Sequence, residues 1–266
     1  MKLAVVSDIH GNLPALAAVL ADAARERVSA IVNLGDIVSG PLWPAETAER
    51  LMSLDWPTIA GNHERQLLQG PPGTRGPSDA FAAERLNDAH RAWLAMLPAT
   101  RWVGRSVFAC HGTPGTDLAY WLETTVPGFD PAQGLRGLRA ASAAEVQARL
   151  GSDADLAQAE LMLCGHSHVP RCVRLGDGRM VVNPGSVGLP AYDDAHGHLH
   201  WVETGSPHAR YALVERGAHG WSVQHRLVAY DWQRAARQAL ANGRPDWADA
   251  LATGYVGRVL DTAPAA

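Results

Sequence analysis

Asp8 and His10 stand two residues apart where the apolar run Leu3-Ala4-Val5-Val6 gives way to Ser7-Asp8-Ile9-His10-Gly11-Asn12. A carboxylate offers a hard oxygen and an imidazole a borderline nitrogen, a pair that suits a divalent transition metal. Similar hydrophobic runs end in polar residues at Gly35-Asp36, Gly61-Asn62-His63-Glu64, His111-Gly112 and Gly165-His166-Ser167-His168. Glycine beside the polar residue permits a tight turn from strand into loop. If the first run is a strand, alternation places Asp8 and His10 on one face at the mouth of a sheet. Taken singly, a strand-end aspartate is commonly a turn former and a lone histidine a surface or core residue. Five such segments in order point to a two-metal enzyme.

The elements that must position these groups alternate in the first half. Residues 3–7 form an expected strand, followed by Leu13, Leu16, Ala17 and Leu20 at helical spacing. Asn12 suits the cap of that helix and Pro14 its first turn, although Asn12 could instead touch a substrate. Further strands are expected at 30–34 and 58–60, with a helix at 45–54. Parallel strands with ligands at their carboxyl ends are where open α/β sheets place active sites. Residues 70–78 are rich in Gly and Pro and read as a loop, with one helix over 80–97. A hairpin is expected at 101–103 and 106–110, an irregular stretch at 113–131, a helix at 140–150 and a strand at 161–164. Short β runs follow at 171–175, 179–182, 198–203, 210–215 and 222–227, then an Ala-rich helical tail at 231–251. This pattern predicts an α/β chain with two packed mixed sheets flanked by helices, a four-layer αββα sandwich. It predicts one domain over 1–266, with an insertion at 113–155 near the site and a helical appendage at 229–266.

Composition narrows the function classes. The chain has 266 residues, 47% hydrophobic and 19% charged, which fits a globular protein with a sizeable core. The net charge of −4 gives no support for a nucleic-acid-coating surface. No apolar run is long enough for a membrane span. The first apolar run is too short for a signal peptide, so a cytoplasmic location is expected. The three cysteines, Cys110, Cys164 and Cys172, include no Cys-x-x-Cys pair. Cys110 and Cys164 sit in strand-like runs and read as buried apolar filler. His196, His198 and His200 alternate, and the plainer reading is one exposed strand face rather than a third metal site.

The ordered set Asp8-x-His10, Gly35-Asp36, Gly61-Asn62-His63-Glu64, His111-Gly112 and Gly165-His166-Ser167-His168 resembles the calcineurin-like metallophosphoesterase superfamily, especially its small bacterial and archaeal phosphodiesterase branch. The resemblance runs over about residues 2–188. It implies two divalent metal ions, with Mn²⁺ or Fe favoured and Zn²⁺ or Ni²⁺ as alternatives. Asp8, His10 and His168 would hold one ion, Asn62, His111 and His166 the other, and Asp36 would bridge them. His63 would protonate the leaving oxygen during in-line attack by a metal-bridging hydroxide. Glu64 would be structural. The run Asn183-Pro184-Gly185-Ser186-Val187-Gly188-Leu189-Pro190 also resembles the family. It could offer N–H groups to phosphate or simply close the second sheet.

Departures from the pattern sharpen the expectation. Protein serine/threonine phosphatases carry Gly-Asp-x-x-Asp-Arg-Gly, whereas this chain has Gly35-Asp36-Ile37-Val38-Ser39-Gly40-Pro41. Ser39 replaces the acid expected to orient the histidine, and Gly40 the arginine expected to grip phosphate. A phosphodiesterase acting on a small phosphate ester or nucleotide is therefore expected. The alternatives are a phosphomonoesterase, a nucleotidase or a nuclease on the same site, or a protein-binding scaffold, which His63 and the full ligand set disfavour. Tyr120 and Trp121 could stack on a base or pack the insertion onto the sheet. The sequence leaves the oligomeric state open.

Overall fold

The computed structural model describes residues 1–71, 73–151 and 154–257. Residue 72 of the expected loop, residues 152–153 of the expected insertion and residues 258–266 of the expected appendage lie outside them. The first half contains β1 (Lys2–Val6), α1 (Leu13–Arg25), β2 (Ala30–Asn33), α2 (Pro44–Met52), α3 (Asn62–Gln69), α4 (Pro77–Arg85) and α5 (Asp88–Ala95). Then come β3 (Thr100–Val103), β4 (Val107–Cys110), β5 (Glu123–Thr125), β6 (Leu138–Ala140), α6 (Ala143–Arg149) and β7 (Leu161–Leu163). The chain continues through β8 (Arg171–Arg174), β9 (Met180–Asn183), β10 (Ala191–Asp194), β11 (His200–Glu203), β12 (Ala209–Gly217) and β13 (Gly220–Val228). Helices α7 (Trp232–Ala241) and α8 (Pro245–Thr253) complete it.

Two mixed sheets face one another. The first has the order β13-β12-β1-β2, with β1 and β2 parallel and β12 antiparallel to β1. The second has the order β3-β4-β7-β9-β8, with β4, β7 and β9 parallel. Leu3, Val5, Val32, Val107, Leu161 and Val182 pack into one cluster between them. Successive strand residues point to opposite faces, so Ala4 and Val6 turn the other way and meet Leu16 and Val19 of α1. On the far side Phe108, Met162 and Val181 pack against Trp121 and Val146. The layers are therefore helix, sheet, sheet, helix, as the hydrophobic pattern predicts.

Several elements differ in detail from the sequence expectation. Residues 58–60 contribute a single parallel bridge from Thr58 to Asn33 rather than a strand. The helix expected over 80–97 is two helices. Asn87 caps α5, its side chain accepting the His90 N–H at 2.9 Å, and this capping interrupts the helical pattern. Residues 113–131, expected to be irregular, contain β5, which pairs with β6. The tail is two helices, broken at Asn242 before Pro245.

Candidate metal centre

The candidate residues gather at the carboxyl ends of β1, β2, β4 and β7. Asp8 and His10 do not use strand alternation to get there, because β1 ends at Val6. Instead the backbone coils through the left-handed region at Asp8 (φ 55°) and His10 (φ 52°). Asp36 (54°), His166 (68°) and His168 (58°) do the same. L residues avoid this region, and such strain persists where the surrounding structure over-determines it, commonly at functional sites. The Asp8 N–H donates to Gly35 O and the His10 N–H to Asp36 O, both at 3.0 Å, which locks the first two loops together.

Asn62 and His63 begin α3, and Glu64 sits at its third position. Glu64 carboxylate oxygens accept the N–H groups of Asp36, Ile37 and Gly61, each at 2.8 Å. One buried side chain thus ties two candidate loops, which fits the structural role expected of it. Burial holds its pKa above the usual carboxylate range. Gly61 is required by this approach, since a Cβ there would stand 2.2 Å from Asp36 Oδ1. That oxygen accepts the His63 N–H at 3.0 Å.

The imidazole hydrogen bonds decide which ring nitrogens remain for a cation. His10 Nδ1 bonds to Ser39 O at 2.7 Å, His111 Nδ1 to Leu34 O at 2.8 Å and His168 Nδ1 to Leu189 O at 2.8 Å. Carbonyls only accept, so these Nδ1 atoms carry protons and Nε2 is the ring nitrogen left to face the candidate site, an assignment made from hydrogen bonding. His166 is reversed: Nε2 bonds to Leu118 O at 3.1 Å, leaving Nδ1. Such carbonyl partners orient metal-binding histidines.

His10 Nε2 and His168 Nε2 face each other at 3.2 Å. His168 Nε2 is also 3.4 Å from Asp8 Oδ1. At the second locus His111 Nε2 lies 3.0 Å from Asp36 Oδ2 and 3.1 Å from Asn62 Oδ1. Electron-rich atoms this close repel unless a cation or proton stands among them. Asp8, His10 and His168 form one group able to hold a metal ion, and Asp36, His111 and His166 a second. The donor sets fit a divalent transition metal at each. Burial, reinforced by His168, lowers the His10 pKa to about 3, and burial lowers that of His166 to about 4. Both rings are therefore neutral and able to ligate. Burial opposes charge on His111 as well, but Asp36 outweighs it and raises the pKa to about 10. That attraction for a proton is equally an attraction for a metal ion.

The loci open into a cleft of about 620 Å³ lined by His63, Ser39, Tyr120, Tyr192, Arg244 and Trp247 among others. His63 Nδ1 lies 2.9 Å from Asp79 Oδ1, an acid on α4 that no motif singles out. Burial disfavours a charged His63, but Asp36 and Asp79 prevail and raise its pKa to about 9. Tyr120 and Tyr192 share a hydrogen bond at 2.7 Å, and their rings lie against His166 and His168. Arg244 and Trp247 reach the cleft from the far end of the chain. Residues so distant in sequence carry no spacing signal.

Other expectations resolve here. Trp121 is buried, its Nε1 donates to Val146 O at 3.0 Å, and it packs the insertion rather than stacking on a ligand. Asn12 caps α1 by accepting the Ala15 N–H, and its amide donates to Gly188 O and Tyr230 Oη. The N–H groups of Val187 and Gly188 go to Ser7 O and Asp8 O, so these two close the fold rather than face phosphate. The expected exposed face of three histidines is not formed. His200 is buried, bonding to Tyr120 Oη at 2.9 Å, while His196 and His198 precede β11. Cys110 and Cys164 are buried, as apolar filler should be.

Two packed mixed sheets with paired cation loci at strand ends define a metallophosphoesterase class of site. The chain belongs to the calcineurin-like phosphoesterase superfamily, whose domain model matches residues 1–206. It is 24% identical over 267 residues to an uncharacterized protein, MJ0912, from Methanocaldococcus jannaschii, covering 92% of this chain and 94% of that one. It is similar to a crystal structure of a metallophosphoesterase from Sphaerobacter thermophilus, with a TM-score of 0.69, 25% identity and coverage of 96% and 99%. The fold also matches the hypothetical protein PH1004 from Pyrococcus horikoshii OT3, with a TM-score of 0.70, 19% identity and the same coverage. The chain is a metal-dependent phosphoester hydrolase. Among the described residues, no helix is long and apolar enough to cross a membrane.

Proposed function

We propose that the cleft hydrolyses small phosphodiesters, nucleotide-like esters included. The observation that carries this reading is the surrounding of Gly40. Its φ is 154°, and a Cβ there would stand 2.5 Å from His10 O and 2.8 Å from the Trp247 ring. No arginine fits at the position where phosphatase motifs carry one. Among the described residues lining the cleft, Arg244 is the one guanidinium. It is held by Asp246 at 2.6 Å and by Ser78 at 3.0 Å. A dianionic monoester therefore lacks its usual clamp, whereas a diester carries one ionised oxygen and needs less.

In this reading Asp8, His10 and His168 would hold one ion and Asn62, His111 and His166 the other, with Asp36 shared between them. Mn²⁺ or Fe suits the mixed oxygen and nitrogen donors best. When bound, the two ions neutralise the phosphoryl oxygens and acidify the attacking water. Water displaces the leaving oxygen in line: a new P–O bond forms as the ester P–O bond breaks. His63 Nε2 passes its proton to the departing oxygen, which leaves as an alcohol. Tyr120 and Trp247 of α8 line the cleft, their rings lying against His166 and His10. The chain acts as one domain, in which the insertion 113–155 reaches the cleft through Leu118 and Tyr120 and the appendage 229–266 through Arg244 and Trp247.

The test is a panel assay. Metal-stripped protein receives Mn²⁺, Fe²⁺, Ni²⁺ or Zn²⁺ and is offered mono- and diesters. Diester turnover should dominate, and Asp36→Asn should abolish it under every metal. Preferential turnover of phosphomonoesters would overturn the diester reading.

A further inference from the structure

We infer that Asp79 is the positioning residue for His63, replacing from α4 the acid that the second motif lacks. The inference rests on the reading of His63 as proton donor. Where that acid would stand, the chain has Ser39. Its hydroxyl is buried and has no hydrogen-bond partner, and its carbonyl is occupied by His10 Nδ1. Ser39 therefore gives His63 no hydrogen bond.

The carboxylate comes instead from sixteen residues beyond His63, on the neighbouring helix α4. Asp79 Oδ1 lies 2.9 Å from His63 Nδ1. The Asp79 side chain is 4% exposed and that of His63 29%. The acid is thus shielded while the ring reaches the cleft. With the carboxylate oxygen accepting, His63 Nδ1 is the donor of this pair and Nε2 is left to face the ester. After Nε2 gives its proton to the leaving oxygen, the ring remains as the neutral Nδ1–H form, still bonded to Asp79. Water consumed in the reaction returns the proton, so the balance closes without another reagent.

Asp79 is itself held firmly. It lies in the first turn of α4, which opens with Pro77 and favours a negative side chain. Leu67 of α3 and Ala82 and Ala83 of α4 share one buried cluster, fixing the two helices. Arg244, the residue before α8, donates to Ser78 Oγ at 3.0 Å. The C-terminal helices thus pin the residue preceding Asp79, a contact that links the appendage to the proton donor.

The test compares Asp79→Asn with wild type on two diesters in the metal-reconstituted enzyme. Bis-p-nitrophenyl phosphate releases a phenolate that departs readily without a proton. An alkyl nucleoside phosphodiester releases an alkoxide that needs one. The loss of kcat on the alkyl ester should reach about a hundredfold, as for removal of a general acid, and exceed that on the aryl ester by at least about tenfold. In a His63→Gln background Asp79→Asn should add little. Equal losses on both esters, or undiminished losses in the His63→Gln background, would overturn the inference. A readout independent of turnover is the ¹⁵N NMR of His63 in Zn²⁺-loaded protein. Wild type should show Nδ1 protonated, and Asp79→Asn should lose that preference. If wild type hydrolyses neither ester, the proposed function fails and the NMR result alone judges Asp79. An unchanged His63 spectrum would then sink it.

Discussion

His10 Nε2 and His168 Nε2 lie 3.2 Å apart although 158 residues separate them, each with its Nδ1 turned to a backbone carbonyl. Two ring nitrogens held this way are preorganised for a cation. Replacing His168 by Ala should lower bound metal from about two ions per chain toward one, measured by elemental analysis after reconstitution. Stripping the metal should lower the thermal midpoint of wild type more than that of the variant, because a ligand bound to the folded state stabilises it. Undiminished metal content in His168→Ala would refute the assignment.

Glu64 should matter for folding before it matters for chemistry. Its carboxylate satisfies the N–H groups of Asp36, Ile37 and Gly61 in a dry setting. Glu64→Ala leaves those donors unpaired, at a cost of roughly 3 kcal/mol or more. Urea unfolding should show the loss. Glu64→Gln keeps acceptor capacity at one oxygen and should lie between the two.

Glu123 should make stability fall as pH rises. It is buried under the loop that carries His166 and His168, near Arg149 and Arg171, whose guanidinium groups are engaged with backbone carbonyls. Burial raises its pKa from 4.5 to about 7. Below pH 4.5 the carboxyl is neutral in both folded and unfolded states. Between 4.5 and 7 the folded state holds the proton more tightly, so stability declines through that window. The penalty is complete above about pH 7, at ~3 kcal/mol. Glu123→Gln should match wild type near pH 4 and exceed it near pH 8 in denaturant titrations. Parallel pH curves for the two proteins would count against this account.

Gly40→Arg should not create a phosphomonoesterase. The new Cβ meets His10 O and the Trp247 ring. We expect a lower thermal midpoint and loss of activity on all esters. Pairing it with Trp247→Ala should relieve only the clash with the ring. A stable, active Gly40→Arg enzyme would show that the α8 wall yields.

Trp121→Ala should act on stability rather than specificity. The indole is 1% exposed, with its N–H bonded to Val146 O. The large cavity should cost about 3–5 kcal/mol. Residual activity should fall in equal proportion on aryl and alkyl diesters, measured below the lowered thermal midpoint. Selective loss on the aryl ester would place the ring at the substrate.

The convergence of the candidate ligands was legible from sequence because each follows a short apolar run. Asp8, His10, Asp36, Asn62, His111, His166 and His168 all arrive at the two loci that the ordered motifs anticipate. The sheet layers were legible too, since alternation at Leu3, Ala4, Val5 and Val6 sends side chains to two different clusters. The means of convergence was not. Asp8 and His10 share a locus through left-handed backbone, which residue types other than glycine do not advertise. Nor did the helix over 80–97 reveal its break, because the Asn87 cap competes locally with helix propensity.

Sequence order alone picked out the residues that meet at the two candidate loci and showed that Ser39 and Gly40 depart from the phosphatase pattern. Only the tertiary structure decided what fills those departures. Asp79 reaches His63 from the neighbouring helix, and Trp247 occupies the space beside Gly40 from more than two hundred residues away. Neither follows from spacing, because burial and hydrogen-bond geometry act through space, and the chain's connectivity says little about which distant side chain a packed core will bring into contact.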